Sequence, residues 1–231
     1  MKTFKLIVTL LIVLALYTSS AANAQILSST LKSGEAELGY IHKWFHRDME
    51  PNLPTEMRWE VSTLFARYGG FEWLTLSVEG AISIFDHEDF PGLKYRRYAL
   101  GGGVAAKLYQ YRQWAFAGCF HFNEVWDHDR SANHFDKRTR GVITGLQIIR
   151  SFTFRNHAAD VWIGPMYVDD IGETYPWDSN TPIKNEASDN FGVAMGAHTV
   201  FFKHFAGLFY VVYANYFQAR LGIALHLGEG K

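Results

Sequence analysis

Three groups of residues in this sequence have the types and spacing to do chemistry. The first mixes imidazoles and carboxylates in polar stretches: Asp86 to Asp89, then Asp127, His128, Asp129, His134 and Asp136, then Asp169, Asp170 and Glu173. Converging on one rim, such groups bind a divalent cation or activate a water for hydrolysis of a lipid or peptide bond, with Asp127, His128 and His134 as the catalytic candidates. The spacing matches no zinc motif, neither H-E-x-x-H nor a Cys/His set, so no metal and no cofactor is expected. The competing reading is plainer: Asp and His are ordinary residues of solvated turns.

The second group is a scatter of single ionisable residues within otherwise apolar and small-residue segments: Glu60, Glu79, Arg97, Lys107, His121, Arg220 and His226. A charge turned into an interior must be paired or solvated. This group is therefore either a network of carboxylates and cations that fills a narrow lumen or a polar path for small solutes. The third group is basic: Arg96, Arg130, Arg138 and Arg140 stand in or beside polar stretches. Guanidinium forks match phosphate oxygens, although the acids interleaved among them also suit a simple mixed-charge surface.

The elements that must position these groups read as β-strands. From Leu74 to Ile84 the even positions Leu74, Leu76, Val78, Ile82 and Ile84 are apolar, while the odd positions are small or polar. The final segment repeats this, with Phe217, Ala219, Leu221, Ile223, Leu225 and Leu227 on one face. A period of two is the strand pattern, and a helix would scatter these residues around its surface. Ten strands are expected: 35–46, 57–68, 71–85, 95–109, 113–126, 138–152, 159–169, 189–202, 205–214 and 216–228. Pro165 marks a bulge or irregular position within its strand.

The connections alternate in length. Short turns at 69–70, 110–112, 153–158 and 203–204 separate longer polar segments at 47–56, 86–94, 127–137 and 170–188. An up-and-down barrel in a membrane sorts its connections this way, with tight turns on one side and long loops on the other. Aromatic residues crowd the ends of the strands, among them Phe71, Trp73, Tyr111 and Trp114 beside the short turns and Trp44, Trp59 and Trp126 beside the long ones. Two interfacial belts have this arrangement.

Alternation alone does not say which face is inside, so a soluble, lipocalin-like binding barrel is a rival. The polar face argues for the membrane. Ala99, Gly101, Gly103 and Ala105, and again Ala115, Ala117 and Cys119, are small residues with few charges among them. A solvent-facing surface carries more charge than this, whereas a narrow lumen needs small residues.

The N-terminus fits export. Lys2 and Lys5, the apolar run from Leu6 to Leu16, and Ala22-Asn23-Ala24 form a charged region, an apolar region and a cleavage site, so residues 1–24 are expected to be a signal peptide and 25–231 one barrel domain. With Cys119 the only cysteine, there is no internal disulfide. The formal net charge of −1 gives no reason to expect nucleic acid.

Arg220-Leu221-Gly222-Ile223-Ala224-Leu225-His226-Leu227 resembles the C-terminal insertion signal of outer-membrane β-barrel proteins. That resemblance implies recognition by the barrel-assembly machinery through Arg220, Gly222, Leu225 and Leu227. Many such proteins end on an aromatic residue, whereas this chain continues as Gly228 to Lys231. Omptin proteases, which are ten-stranded and hold Asp and His at the outer rim, offer a precedent for an enzyme, but no stretch here aligns with their catalytic residues. Outer-membrane lipid A deacylases pair His with Ser. The adjacent His198 and Thr199 do not form such a pair, because neighbours on a strand point to opposite faces.

The expectation is thus an all-β, closed, antiparallel, up-and-down transmembrane barrel of about ten strands in the outer membrane of a Gram-negative-type bacterium. It would contact lipopolysaccharide through Arg96, Arg130, Arg138 and Arg140 and serve a structural, adhesive or narrow-pore role. The alternatives are an outer-membrane hydrolase and a soluble binding barrel.

Overall fold

The computed structural model describes residues 30–48, 56–86, 94–129, 135–154, 157–176, 183–186, 191–201, 204–214 and 217–228. Their strands are β1 (Ala36–Asp48), β2 (Glu56–Phe71), β3 (Leu74–Asp86), β4 (Lys94–Tyr111), β5 (Trp114–Asp129), β6 (Phe135–Phe154), β7 (His157–Pro176), β8 (Ile183–Glu186), β9 (Phe191–Phe201), β10 (Phe205–Tyr213) and β11 (Phe217–Leu227). Each pairs antiparallel with its neighbour around the wall, and β1 pairs with β11 from Ala36–Leu227 to His46–Phe217, which closes the sheet. Ten strands make the wall. The short β8 adds only to the upper end of β7, where Ile171 lies opposite Glu186 and Thr174 opposite Ile183. Closure leaves no lipid-exposed sheet edge, the condition for crossing hydrocarbon with strands.

Which way the faces point decides between a soluble and a membrane barrel. Leu221 and Leu225 are 56% and 42% exposed, and Val104, Phe120, Leu146, Ile163 and Phe209 are likewise exposed on the outside of the wall. Leu76 and Val78 share that outward face, while Thr75, Glu79 and Ala81 on the same strand are buried inside. A soluble barrel packs its apolar face centrally, and here that face surrounds the molecule on β3, β4, β5, β6, β7, β9, β10 and β11. Such a continuous apolar exterior is stable only against lipid.

Two expectations are corrected. Several strands, β2, β4, β5, β6 and β7 above all, are longer than their alternation suggested, with β6 and β7 each 20 residues. The segments 127–137 and 170–188, read as loops from their polarity, are therefore partly strand, and β8 lies within the second of them. The register gives the reason. Asp127 sits opposite Arg97 on one side and Lys137 on the other, so charges that look loop-like in sequence alternate in sign across the ladder. Opposite charges facing each other favour strand pairing above the apolar band, where water is available.

Small residues make room inside. On β4, Gly101 and Gly103 face the lumen and the His121 ring lies over them. A Cβ on Gly103 would come 2.6 Å from its Cδ2. The tight turn from Tyr111 to Trp114 places Arg112 in the left-handed region, at φ 54°.

Candidate functional site

The interior is filled by two charged layers and an apolar wedge. Near the short-turn end, the register sets Glu37 of β1 between Arg67 of β2 and His226 of β11. Arg67 Nη1 donates to Glu37 Oε2 at 3.0 Å. His198 Nε2 and His226 Nδ1 meet the other oxygen at 2.7 and 3.2 Å. The Arg67 and Glu37 side chains are fully buried. Below this layer the chain entering β1 tucks into the mouth: Leu31 is buried and its N–H donates to Thr75 Oγ1 at 2.8 Å. Gly34, at φ 84°, turns that segment, and its N–H donates to the Gly69 carbonyl.

Six residues further along β1, Lys43 Nζ donates to both carboxylate oxygens of Glu79, at 3.2 and 3.3 Å, and both side chains are buried. Arg220 stands opposite Lys43 in the register. Its Nε donates to Gln218 Oε1 at 2.8 Å, and its guanidinium lies 4.7 Å from the centroid of the Tyr210 ring. Against these charges the other half of the wall presents Trp162, Met166 and Val168 from β7, Ile143 and Ile149 from β6, and Leu208, Tyr210 and Val212 from β10. The Trp162 and Tyr210 rings are 6.0 Å apart. The lumen thus has a charged side and an apolar side that meet in its middle. Bulky apolar lining on β6, β7 and β10 departs from the small-residue lining expected throughout.

Of the residues expected inside, Glu79, His121, Arg220 and His226 are buried in the interior. Lys107 follows Ala105 on the inward phase of β4, half-buried close to a turn, and its Nζ donates to Gln110 Oε1 at 3.0 Å. Arg97 and Glu60 are described through their backbones only. Sequence reasoning did not find Glu37, Lys43, Arg67 or His198, which carry most of the observed ion pairing.

For the hydrolytic candidates, the backbone places Asp127 between Arg97 and Lys137, and His128 between Arg96 and Asp136. Their side chains, and residues His134 and Arg130 entirely, lie outside the described residues. So do residues 1–24. Among the described residues, no group of three or more His, Cys, Asp or Glu is arranged to hold a metal ion. Cys119 is a free thiol facing the Gly145 carbonyl at 3.5 Å.

Polar contacts also lie on the outside of the wall among the described residues. Tyr40 Oη and Ser62 Oγ share a hydrogen bond of 2.7 Å, with His42 Nδ1 3.4 Å from the same phenol. Further round, Arg140 of β6 lies directly across from Glu124 of β5, with Nε 3.5 Å from Oε1. Of the other basic candidates, Arg138 lies opposite Trp126 and Glu173, and Arg96 opposite Ile84 and His128.

No protein-family model matches the chain, and no curated protein sequence matches it. Solved structures similar to it include the translocator domain of the autotransporter NalP from Neisseria meningitidis, at 11% identity, with 84% of this chain and 89% of that one covered and a TM-score of 0.48. The attachment invasion locus protein Ail of Yersinia pestis is similar at 9% identity, with 84% and 99% covered and a TM-score of 0.40. The outer-membrane protease OmpT of Escherichia coli is similar at 6% identity, with 87% and 97% covered and a TM-score of 0.38. These are outer-membrane β-barrels, and at such identities the likeness is one of fold.

Proposed function

We propose that this protein is a non-conducting outer-membrane barrel that serves as an anchored platform, with its working surfaces at the outer rim and on the outer wall. One observation carries this reading: Lys43, Glu79, Arg220 and Tyr210 meet in the middle of the lumen, each at most 2% exposed. Side chains so packed leave no water-filled path at that level. A ten-stranded wall is narrow enough for side chains to fill it. The role is then structural or adhesive, and a pore role is disfavoured.

On this reading the chain is exported by a signal peptide cleaved after Ala24. The assembly machinery recognises β11 through Arg220, Gly222, Leu225 and Leu227. Arg96, Arg130, Arg138 and Arg140 face the lipopolysaccharide layer, and no catalysis, metal or cofactor is required. The side of β6, β7 and β8 that stands above the apolar band, together with the segments between strands, presents the surface for a partner.

Fractionation of expressing cells tests the assignment. The protein is expected with outer membranes and to migrate on gels faster before boiling than after. Recovery as a soluble periplasmic protein would overturn the assignment. For the platform role, replacing residues 177–182 by a Gly/Ser linker is expected to reduce attachment of whole cells to a host surface without changing the gel shift. Unchanged attachment after all four long connections are replaced in turn would remove the adhesive role.

A further inference from the structure

We infer that Glu124 and Arg140 form a binding site for the phosphate of an outer-leaflet glycolipid. The inference rests on the reading of the apolar wall as lipid-facing. It begins with a carboxylate where none is expected. Glu124 shares the outward face of β5 with Phe120 and Phe122, which are exposed, yet it is only 2% exposed itself. It is laid into the wall and met by Arg140 directly across the ladder. A charge on the lipid-facing side of a membrane protein is costly and marks a functional position with its partner.

Height places the pair. At the short-turn end Trp114 of β5 lies opposite Arg150 of β6, whose guanidinium sits 5.0 Å from the ring centroids of both Trp114 and Phe152. From there to Glu124 and Arg140 each strand advances ten residues. Ten residues at about 3.3 Å each, tilted by about 40°, climb about 25 Å, which is the height of the apolar band of an outer-membrane barrel. The outward positions in between, 116–122 on β5 and 142–148 on β6, carry no charge. Arg150 and Arg140 therefore mark the two edges of the band, and Arg140 stands at the outer edge, at headgroup level.

The geometry of the pair suits a second anion. Glu124 meets Arg140 at Nε, and 47% of the Arg140 side chain is exposed. A guanidinium held by one carboxylate at Nε keeps its terminal nitrogens for a bidentate contact, the arrangement in which Arg binds phosphate. Beneath it, the exposed Phe120, Phe122 and Leu146 offer a surface for acyl chains. A phosphate carried above acyl chains is a phosphorylated lipid, and on this leaflet that is lipid A. Glu124 is the positioning residue, and it also neutralises Arg140 within the wall.

Refolded protein in non-ionic detergent is offered lipid A, enzymatically dephosphorylated lipid A, or inorganic phosphate, and the retained ligand is read by native mass spectrometry. The proteins compared are the wild type, Arg140→Ala, and the double variant E124Q/R140A, which leaves no orphaned carboxylate in the wall. Folding of each is checked by the gel shift. Wild type is expected to retain lipid A at least about tenfold better than the dephosphorylated form, the loss expected for one charge-assisted hydrogen bond. The folded double variant is expected to treat the two lipids alike. Wild-type retention by the double variant would overturn the site, as would inorganic phosphate displacing lipid A at equal concentration. Either result in a protein that still fractionates with outer membranes sinks the site alone, whereas loss of fractionation sinks the membrane reading beneath it.

Discussion

Replacing Glu37 by Gln removes one negative charge from a buried layer while keeping the size and one acceptor oxygen of the side chain. In the structure that charge answers Arg67 at 3.0 Å and accepts from His198 and His226 at 2.7 and 3.2 Å, all inside the barrel. The Gln carbonyl still takes one imidazole, so the hydrogen-bond loss is partial. The dominant effect is on the Arg67 guanidinium, fully buried, which loses the carboxylate it donates to while keeping the pull of Asp160. Breaking a buried pair by removing one partner costs about 3–5 kcal/mol, and a loss near about 4 kcal/mol shifts the folding equilibrium roughly a thousandfold. Urea titration of the protein refolded into vesicles, followed by tryptophan emission, reads this as a fall in midpoint at unchanged slope. The double variant E37Q/R67M removes both charges and is expected to recover most of the loss, since an apolar replacement of a buried pair is often neutral. A single variant within about 1 kcal/mol of wild type, the median contribution of a solvated ion pair, would show that this layer is wet and the lumen open.

Further expectations follow from the same geometry. Leu221→Arg puts a charge on the outward face of β11 six residues from Leu227, near the middle of the band, and is expected to cost about 2–4 kcal/mol in vesicle refolding; a change below half of that would argue against lipid contact there. Gly103→Val places methyl groups where a Cβ alone already comes 2.6 Å from the His121 ring. The same Cβ would come 2.7 Å from the Phe120 carbonyl oxygen, so the variant is expected to abolish the gel shift, with or without H121A beside it; a normal shift for Gly103→Val would contradict the close packing at this position. Cys119 faces the packed interior, so a bulky maleimide is expected to label it only after unfolding, and rapid labelling of folded protein, read by mass shift, would contradict a filled lumen.

Much of the fold was legible because two strands are nearly pure in their alternation. Leu74 to Ile84 and Phe217 to Leu227 each separate an apolar from a polar face, and both became wall strands with the apolar face outward. The first two strands resist that reading. Tyr40, His42 and Ser62 lie on the outward face while Ile41 and Phe65 lie inside, so each face mixes polar and apolar residues and the phase is lost. Glu37, Lys43 and Arg67 went unassigned for this reason. His198 had only its neighbour Thr199 to be judged by, whereas its partner Glu37 is 161 residues away and adjacent only once β1 closes on β11. Glu124 was hidden by its surroundings, since an acid among Phe120, Phe122 and Trp126 gives no pattern until the ladder sets Arg140 opposite it.

The filled lumen is best tested by current across a planar lipid bilayer containing the refolded protein. The account predicts no stepwise conductance above that of the bare bilayer for the wild type, because the Lys43–Glu79 pair, Arg220 and Tyr210 close the middle of the barrel. Stable, reproducible open steps from wild-type protein whose gel shift shows it to be folded would contradict it.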